Sequence, residues 1–279
     1  MARQPLGQHF LISEMWRERI RSELATPATV PWVEIGAGRG EMTHELARDG
    51  VRVVAIETDA RLIPFLQALS IPGVEIIHGD VLEADLAALA GGPFRVYGNL
   101  PYYITSPILH RLLGVFAANI RDVHIVVQRE VAARIAAHPG GREYGYLSAF
   151  CQFYARPEIL FSIPPGAFQP PPKVDSALLR LTLPGKGAAL GMEAGMVLAF
   201  LNWLKICFAQ KRKTLRNNLR GHAGVKQIAA AFASAQIDGD ARAEQLSLPQ
   251  MARLFEALRL AGADSRVARG TSGTGATRA

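Results

Sequence analysis

Short runs rich in valine and isoleucine alternate with helical segments from residue 31 onward, and this alternation limits the fold more than any other feature of the chain. Five runs share this character: Trp32–Gly36, Val51–Glu57, Val74–His78, Arg95–Gly98 and Val123–Gln128. Buried strands that are separated by helices are typical of a parallel sheet covered on both faces. The sequence therefore predicts an α/β domain with a doubly wound, mostly parallel sheet.

Two further strands, near Phe153–Ile163 and Val174–Leu183, follow without a helix between them. A direct connection of this kind favours an antiparallel hairpin at the sheet edge, which brings the predicted sheet to seven strands. Beyond the glycine-rich segment 184–195 the strand signals end, and residues such as Met251 and Leu254 recur at helical spacing. We predict an α/β domain over residues 1–184, a helical domain over 185–264 and a disordered tail over 265–279.

Composition excludes several classes of protein. Cys151 and Cys207 are the only cysteines and form no C-x-x-C pair, so a disulfide scaffold and a cysteine-based zinc site are ruled out. The seven histidines are scattered without a ligand spacing, and no metal is expected. The amino-terminal segment lacks the apolar core of a secretion signal, and no apolar run approaches the roughly 18 residues needed to span a membrane. These features predict a cytoplasmic protein.

A glycine turn follows the first strand, where residues 34–40 read EIGAGRG. Glycines let the backbone pass close to a cofactor at the carboxyl end of a parallel sheet. The spacing G-x-G-x-G departs from the dinucleotide fingerprint G-x-G-x-x-G, which disfavours a dehydrogenase. The shorter spacing suits S-adenosylmethionine, which has no pyrophosphate to place on the helix N-terminus. Gly36 and Gly38 are therefore predicted to contact this cofactor.

Acidic residues end the next two predicted strands. Glu57 follows the glycine turn by about 20 residues, where a carboxylate can hold both ribose hydroxyls of a cofactor. Asp80 ends the third strand and can accept a hydrogen bond from the exocyclic amine of the cofactor. Either acid alone is more often a solvated charge at a strand end. Two of them at successive strand ends, after a glycine turn, favour a cofactor site.

The tetrapeptide Asn99-Leu100-Pro101-Tyr102 follows the fourth strand and resembles the signature N-[LIP]-P-[YFW] of methyltransferases that act on the N6 amine of adenine. The N6 lone pair is delocalised into the ring and is a poor nucleophile. The Asn99 amide oxygen and the Leu100 carbonyl can accept its two N–H bonds, and Tyr102 offers a face on which the base can stack. We predict that Asn99, Leu100 and Tyr102 are catalytic and that Asn99 also contacts the cofactor.

Four further segments extend the resemblance: residues 7–11 (GQHFL), 168–176 (FQPPPKVDS), 210–219 (QKRKTLRNNL) and 242–248 (RAEQLSL). With the tetrapeptide they resemble, in order and over nearly the whole chain, the small-subunit (16S) rRNA adenine N6,N6-dimethyltransferase family (KsgA/RsmA). The resemblance implies a Rossmann-like, S-adenosylmethionine-dependent methyltransferase fold. It also implies that His9 and Leu11 contact the cofactor and that Phe168 stacks on the target adenine opposite Tyr102. The family usually has Asn where this chain has His9.

Positive charge is concentrated after residue 184. Residues 185–279 hold 14 of the 31 Lys and Arg but only 6 of the 24 Asp and Glu, a net charge of +8, whereas residues 1–184 carry −1. A charge run is often only a solvated face, but the resemblance implies that this region grips ribosomal RNA. The predicted RNA contacts are Lys211, Arg212, Lys213, Arg216 and Arg220.

The resemblance implies dimethylation of N6 on two adjacent adenines in the hairpin near the 3′ end of 16S rRNA, within the small ribosomal subunit or its precursor. Two alternatives stay open. One is a 23S rRNA adenine methyltransferase of the macrolide-resistance type, which shares the catalytic motifs, and the other is a non-catalytic RNA-binding assembly factor. Segment 242–248 and the long helical region after the linker favour the small-subunit enzyme. A monomer is expected.

Overall fold

The computed structural model describes residues 8–24, 30–101 and 103–270, with the backbone alone described for 262–270. The described chain falls into two compact units. The first unit takes the chain up to Ala136 and then Tyr154–Gly185, and the second takes Ala137–Phe153 and the chain from Lys186 onward.

The first unit is an alternation of strands and helices. In chain order it contains β1 (Phe10–Leu11), α1 (Glu14–Leu24), β2 (Trp32–Ile35), α2 (Glu41–Ala47), β3 (Val53–Glu57), α3 (Ile63–Ala68), β4 (Val74–His78), α4 (Leu86–Ala90), β5 (Phe94–Asn99), α5 (Thr105–Val115), β6 (Ile120–Gln128) and α6 (Arg129–Ala136). Helix α7 (Tyr146–Tyr154) then leads back from the second unit to β7 (Arg156–Ile163), β8 (Phe168–Gln169) and β9 (Ser176–Thr182).

Seven of these strands form one sheet in the order β4-β3-β2-β5-β6-β9-β7. The first five in this order are parallel, and β9 is antiparallel to both β6 and β7. Every residue of β2 and β3 is buried, because helices cover both faces of the central strands. The predicted Rossmann-like sheet with an antiparallel edge is thus confirmed. Strand order reverses between β2 and β5, where the carboxyl ends of the strands leave a crevice for a ligand.

The described part of the second unit is helical. Besides α7 it contains α8 (Ala194–Cys207), α9 (Leu215–Leu219), α10 (Val225–Ser234) and α11 (Leu248–Gly270). A reciprocal capping box starts α11: the Gln250 backbone N–H donates to the Ser247 hydroxyl (3.4 Å), and Gln250 Oε1 accepts from the Ser247 backbone N–H (2.9 Å). The end of the segment 242–248 therefore fixes where the longest helix begins.

Two boundaries differ from those that the sequence predicts. Segment 137–153 belongs to the second unit, since the Phe153 ring lies 5.9 Å from that of Phe200 in α8 and the Gly140 N–H donates to the Glu244 carbonyl (2.7 Å). Helix α11 continues through Gly270, into the segment for which composition predicts disorder, because a helix once nucleated extends at little cost. Residues 271–279 lie outside the described part of the chain.

Glu34 is the acidic residue most deeply enclosed by the sheet. It lies in β2, directly opposite Tyr97 of β5 and Ala55 of β3, and is 2% exposed. Its pKa is raised to about 8, mainly because burial disfavours the charged carboxylate. The charges of Glu41 and Glu57 act in the same direction, and the Thr43 hydroxyl acts in the opposite one. Glu34 is therefore mostly protonated in the folded protein at neutral pH.

The free energy of unfolding should fall as pH rises from about 4.5 to about 8, because the folded protein keeps a proton on Glu34 that the unfolded chain releases. Glu34→Gln removes this dependence. One pKa unit corresponds to about 1.4 kcal/mol, so the loss between about pH 5 and pH 8.5 should be smaller in Glu34→Gln by about 2 kcal/mol or more. Urea unfolding at both pH values measures it. The exposed Glu83→Gln is the matched control, and equal losses in wild type and Glu34→Gln would contradict the assignment.

Candidate active site

A cavity of about 490 Å³ opens at the carboxyl ends of β2, β3, β4 and β5. It lies within the first unit, at the point where the strand order reverses. Its wall brings together seven residues that the sequence predicts for the site: His9, Gly36, Gly38, Glu57, Asp80, Asn99 and Leu100. Residues far apart in the chain therefore converge here because parallel strands end at one edge of the sheet.

The glycine turn forms one wall of the cavity. Gly36, Gly38 and Gly40 have φ angles of 73°, 62° and 87°, a region that residues with a side chain rarely adopt. Gly38 is restricted a second time, since a Cβ at this position would lie 3.2 Å from the Phe10 ring. The left-handed backbone and the close Phe10 ring therefore both favour glycine at this position.

Glu57 holds the glycine turn in place. Its side chain is 3% exposed, its Oε2 accepts from the Gly38 backbone N–H (2.9 Å), and its Oε1 accepts from the Asp59 backbone N–H (2.8 Å). Each carboxylate oxygen has two acceptor sites, so these bonds leave capacity for a hydroxyl of a ligand. Glu57 thus has a structural part in addition to the ribose contact that the sequence predicts.

Asp80 has the more open position of the two acids. It is exposed beside the cavity, and its Oδ1 accepts from the Leu82 backbone N–H (2.8 Å), which fixes the turn after β4. The second oxygen of this carboxylate, Oδ2, is suited to accept from an amine. The apolar residues Ile56, Val81 and Leu82 line the wall nearby and suit the faces of a flat heterocycle.

Asn99 ends β5 with its amide in a fixed orientation. Its Nδ2 donates to the His9 backbone carbonyl (2.8 Å), and since a carbonyl can only accept, the amide nitrogen must face it. Oδ1 is therefore the acceptor that Asn99 presents elsewhere in the cavity wall. The next residue is anchored by the Leu100 N–H, which donates to the Val126 carbonyl of β6 (3.0 Å). Tyr102 lies outside the described residues.

Residues 8–11, here called the strap, cross from the glycine turn to Asn99. Within the strap, β1 pairs antiparallel with β8, and Phe10 packs its ring on Gly38 with the Arg39 guanidinium 4.4 Å from the ring centroid. Sequence reasoning missed Phe10 as a wall residue. The available signal was an aromatic residue between the two strap positions that the family resemblance implies as cofactor contacts.

Two predicted contacts do not line the cavity. Leu11 is 2% exposed and Phe168 is 3% exposed, and both belong to the hydrophobic core, where they pair across β1 and β8. The structure thus places the Phe168 ring in the core, where it anchors β8, and the stacking of Phe168 on a base stays a prediction. Tyr103 is 66% exposed and lines the cavity in the segment after Asn99.

The residues in the wall fit S-adenosylmethionine. Glu57 and Asp80 supply acceptors for hydroxyl and amine donors, the glycine turn leaves the backbone open to close approach, and Ile56 and Val81 supply apolar surface. Within the ranges that the structure describes, no three His, Cys, Asp or Glu side chains gather to form a metal site.

The predicted RNA contacts lie in the second unit and differ among themselves. Lys211, Arg212, Lys213 and Arg220 are exposed, and Lys211 Nζ donates to the Arg142 carbonyl. Arg216 is half-buried instead, with its guanidinium 5.7 Å from the Phe232 ring centroid of α10 and beside Gly239. Its cationic head packs against this ring, which separates it from the four exposed basic residues.

None of the helices in the described part of the chain is both long and apolar enough to cross a membrane.

A family model and two similar named relatives point to the same family. A family model described as ribosomal RNA adenine dimethylase matches residues 1–260. The chain is 46% identical over 258 residues to "Ribosomal RNA small subunit methyltransferase A" of Acidobacterium capsulatum, covering 91% of this chain and 90% of the relative. It is 43% identical over 256 residues to the protein of the same name from Xanthomonas euvesicatoria, covering 91% of this chain and 95% of the relative.

Two solved structures resemble the chain over most of its length. A dimethyladenosine transferase from Plasmodium falciparum has a TM-score of 0.72 at 21% identity, covering 91% of this chain and 98% of its own, which supports the fold. The 23S rRNA methyltransferase ErmE has a TM-score of 0.66 at 28% identity, covering 90% of this chain and 99% of its own. On the family match and the two curated relatives, the chain belongs to the ribosomal RNA adenine dimethylase family.

Proposed function

We propose that this chain dimethylates N6 of two adjacent adenines in the hairpin near the 3′ end of 16S rRNA, using S-adenosylmethionine, and acts in small-subunit biogenesis. One observation carries the proposal: the Asn99 amide lies in the wall of the cavity with its nitrogen bound to the His9 carbonyl, so that its oxygen is left as acceptor. The names of the relatives at 43–46% identity support the small subunit as the source of the substrate.

When bound, S-adenosylmethionine supplies a methyl group already activated on a sulfonium, so alignment and electrostatics carry most of the catalysis. The side chains of Glu57 and Asp80 would accept hydrogen bonds from the hydroxyl and amine groups of the cofactor. Gly36 and Gly38 would let the cofactor approach the backbone closely. His9 is also predicted to contact the cofactor and lies in the same wall.

Asn99 and Leu100 act on the target amine. Asn99 Oδ1 and the Leu100 carbonyl accept the two N–H bonds of N6, which favours a more tetrahedral nitrogen with a more available lone pair. The methylated ammonium product is a strong acid, so its proton can pass to water without a dedicated base. Tyr102 and Phe168 remain the predicted stacking surfaces for the adenine, and Phe168 also anchors the strap through its buried ring.

Two alternatives are weaker. The resistance type is represented by ErmE at 28% identity, against 46% and 43% for the two small-subunit relatives. A non-catalytic assembly factor has no need for the Asn99 orientation or for the acids that line the cavity. Because one chain carries both the cavity and the basic segment, we propose that the protein acts as a monomer in the cytoplasm. Sedimentation of the purified protein measures its oligomeric state.

Replacing Asn99 by Ala should lower methyl transfer to unmethylated small-subunit particles on the order of 100-fold, because one acceptor for the developing charge on N6 is lost. Transfer of labelled methyl groups from S-adenosylmethionine measures the rate. Asn202→Ala, at an exposed position on α8, is the matched control and should retain full activity.

The same assay on protein-free 23S rRNA distinguishes the small-subunit enzyme from the two alternative functions. Label found only in 23S rRNA would support the resistance type. Wild-type protein that labels neither RNA, while still binding the cofactor, would contradict the proposed enzyme and favour an assembly factor.

Replacing Lys211, Arg212 and Lys213 together by Ala should weaken RNA binding and flatten its dependence on salt. The slope of log K against log salt is negative, and each lost phosphate contact makes it less steep by about 0.7–0.9. For the triple variant we therefore expect a slope that is less steep by about 2. Titrations of 16S rRNA fragments at several salt concentrations measure it. The exposed residues Arg121, Arg156 and Lys226 provide a control triple with the same change in net charge. Equal slopes for the two triples would remove this segment from the RNA-binding surface.

A further inference from the structure

Two hydrogen bonds of His9 face in different directions. Its ring Nδ1 lies 2.7 Å from the carbonyl oxygen of Pro170, just after β8, and its own backbone carbonyl accepts from Asn99 Nδ2 (2.8 Å). A backbone carbonyl cannot donate, so Nδ1 carries the proton in the first bond. One residue therefore connects the loop after β8 with the amide that ends β5.

The orientation of the Asn99 amide decides whether it can help the proposed reaction. With Nδ2 on the His9 carbonyl, Oδ1 is available to accept from the target N6 amine. Rotated by half a turn, the amide would present its own N–H groups to the N–H groups of the substrate. Such a donor facing another donor loses the hydrogen bond and adds repulsion. The position of the His9 carbonyl is thus part of the catalytic geometry.

Other contacts fix the strap beyond His9. The N–H groups of Ile12 and Ser13 donate to the Ala167 carbonyl (3.0 and 3.2 Å), and Arg17 Nη1 donates to the Ile12 carbonyl (3.0 Å). These bonds lie on the Leu11 side, away from the carbonyl that Asn99 uses. The bond between the His9 ring and Pro170 fastens the strap on the Asn99 side.

We propose that His9 is a positioning residue: its ring bonds Pro170 and thereby holds the backbone carbonyl that orients the Asn99 amide. This inference rests on the proposed methyl transfer to N6 of adenine. It assigns to the His9 side chain a part that differs from the cofactor contact implied by the family resemblance. Asn, the residue that the family usually has here, carries a side-chain N–H that can donate to the same carbonyl.

Enzyme kinetics separate positioning from cofactor contact. His9→Ala should lower kcat on small-subunit particles about tenfold or more at saturating substrates, because small misplacements of reacting groups have large effects on rate. The Kd for S-adenosylhomocysteine should change less than about threefold. His9→Asn should recover most of kcat, and His44→Ala, at an exposed position on α2, should match wild type.

Three outcomes decide between the interpretations. A raised Kd for the cofactor product with unchanged kcat in His9→Ala would overturn positioning and leave a cofactor contact only. Equal kcat in His9→Ala and wild type would also overturn it. If wild-type protein methylates neither 16S nor 23S rRNA, the proposed function fails, and the failure is visible before any variant is compared.

A spectroscopic readout tests the bond without any activity. Nitrogen-15 NMR of histidine-labelled protein, with the His9 signals assigned by their loss in His9→Asn, reports which ring nitrogen carries the proton. We expect a protonated Nδ1, as a donor to the Pro170 carbonyl requires. A neutral ring protonated on Nε2 alone would overturn the proposal.

Discussion

The hydrogen bond from the Gly38 N–H to the buried Glu57 carboxylate is the interaction on which the cavity depends. It joins the turn after β2 to the end of β3, two strands that are already neighbours in the sheet. The Gly38 N–H is buried and lies beyond β2, so it needs a partner outside the strand ladder. Glu57 supplies that partner from the interior, and the open side of the turn is left to face a ligand.

The enclosed position of Glu34 belongs to the same region. Its carboxyl lies one strand from Glu57, and the Glu57 charge contributes to the raised pKa of Glu34. Two ionised carboxylates in this part of the sheet would repel one another in a medium of low polarity. A protonated Glu34 avoids this repulsion beside the side chain that binds the glycine turn.

How much of the fold and of the site could be predicted from the sequence depends on how long each strand or helix pattern is. The strand Val74–His78 is predicted residue for residue, because a short run with three β-branched apolar residues between turn residues defines a strand. Glu57 was predicted from its spacing to the glycine turn, and Asp80 from its place at the end of the next strand. By contrast, β1 and β8 are two residues long and have no period to detect, so the strap and its partner were not predicted as a pair. Burial of Phe168 and packing of Arg216 over Phe232 are tertiary contacts that no local pattern encodes.

A family motif and a catalytic geometry are therefore different kinds of information. The tetrapeptide indicates that an amide side chain lies at the end of β5, but not which way the amide faces. That direction is set by a backbone carbonyl of the strap, about 90 positions earlier in the chain. A side chain as the acceptor could rotate with the amide, whereas a backbone carbonyl keeps the position that the strap and its contacts give it. Residue 9 can therefore vary in side-chain type as long as the substitute still holds that carbonyl, which is the property that His and Asn share as donors.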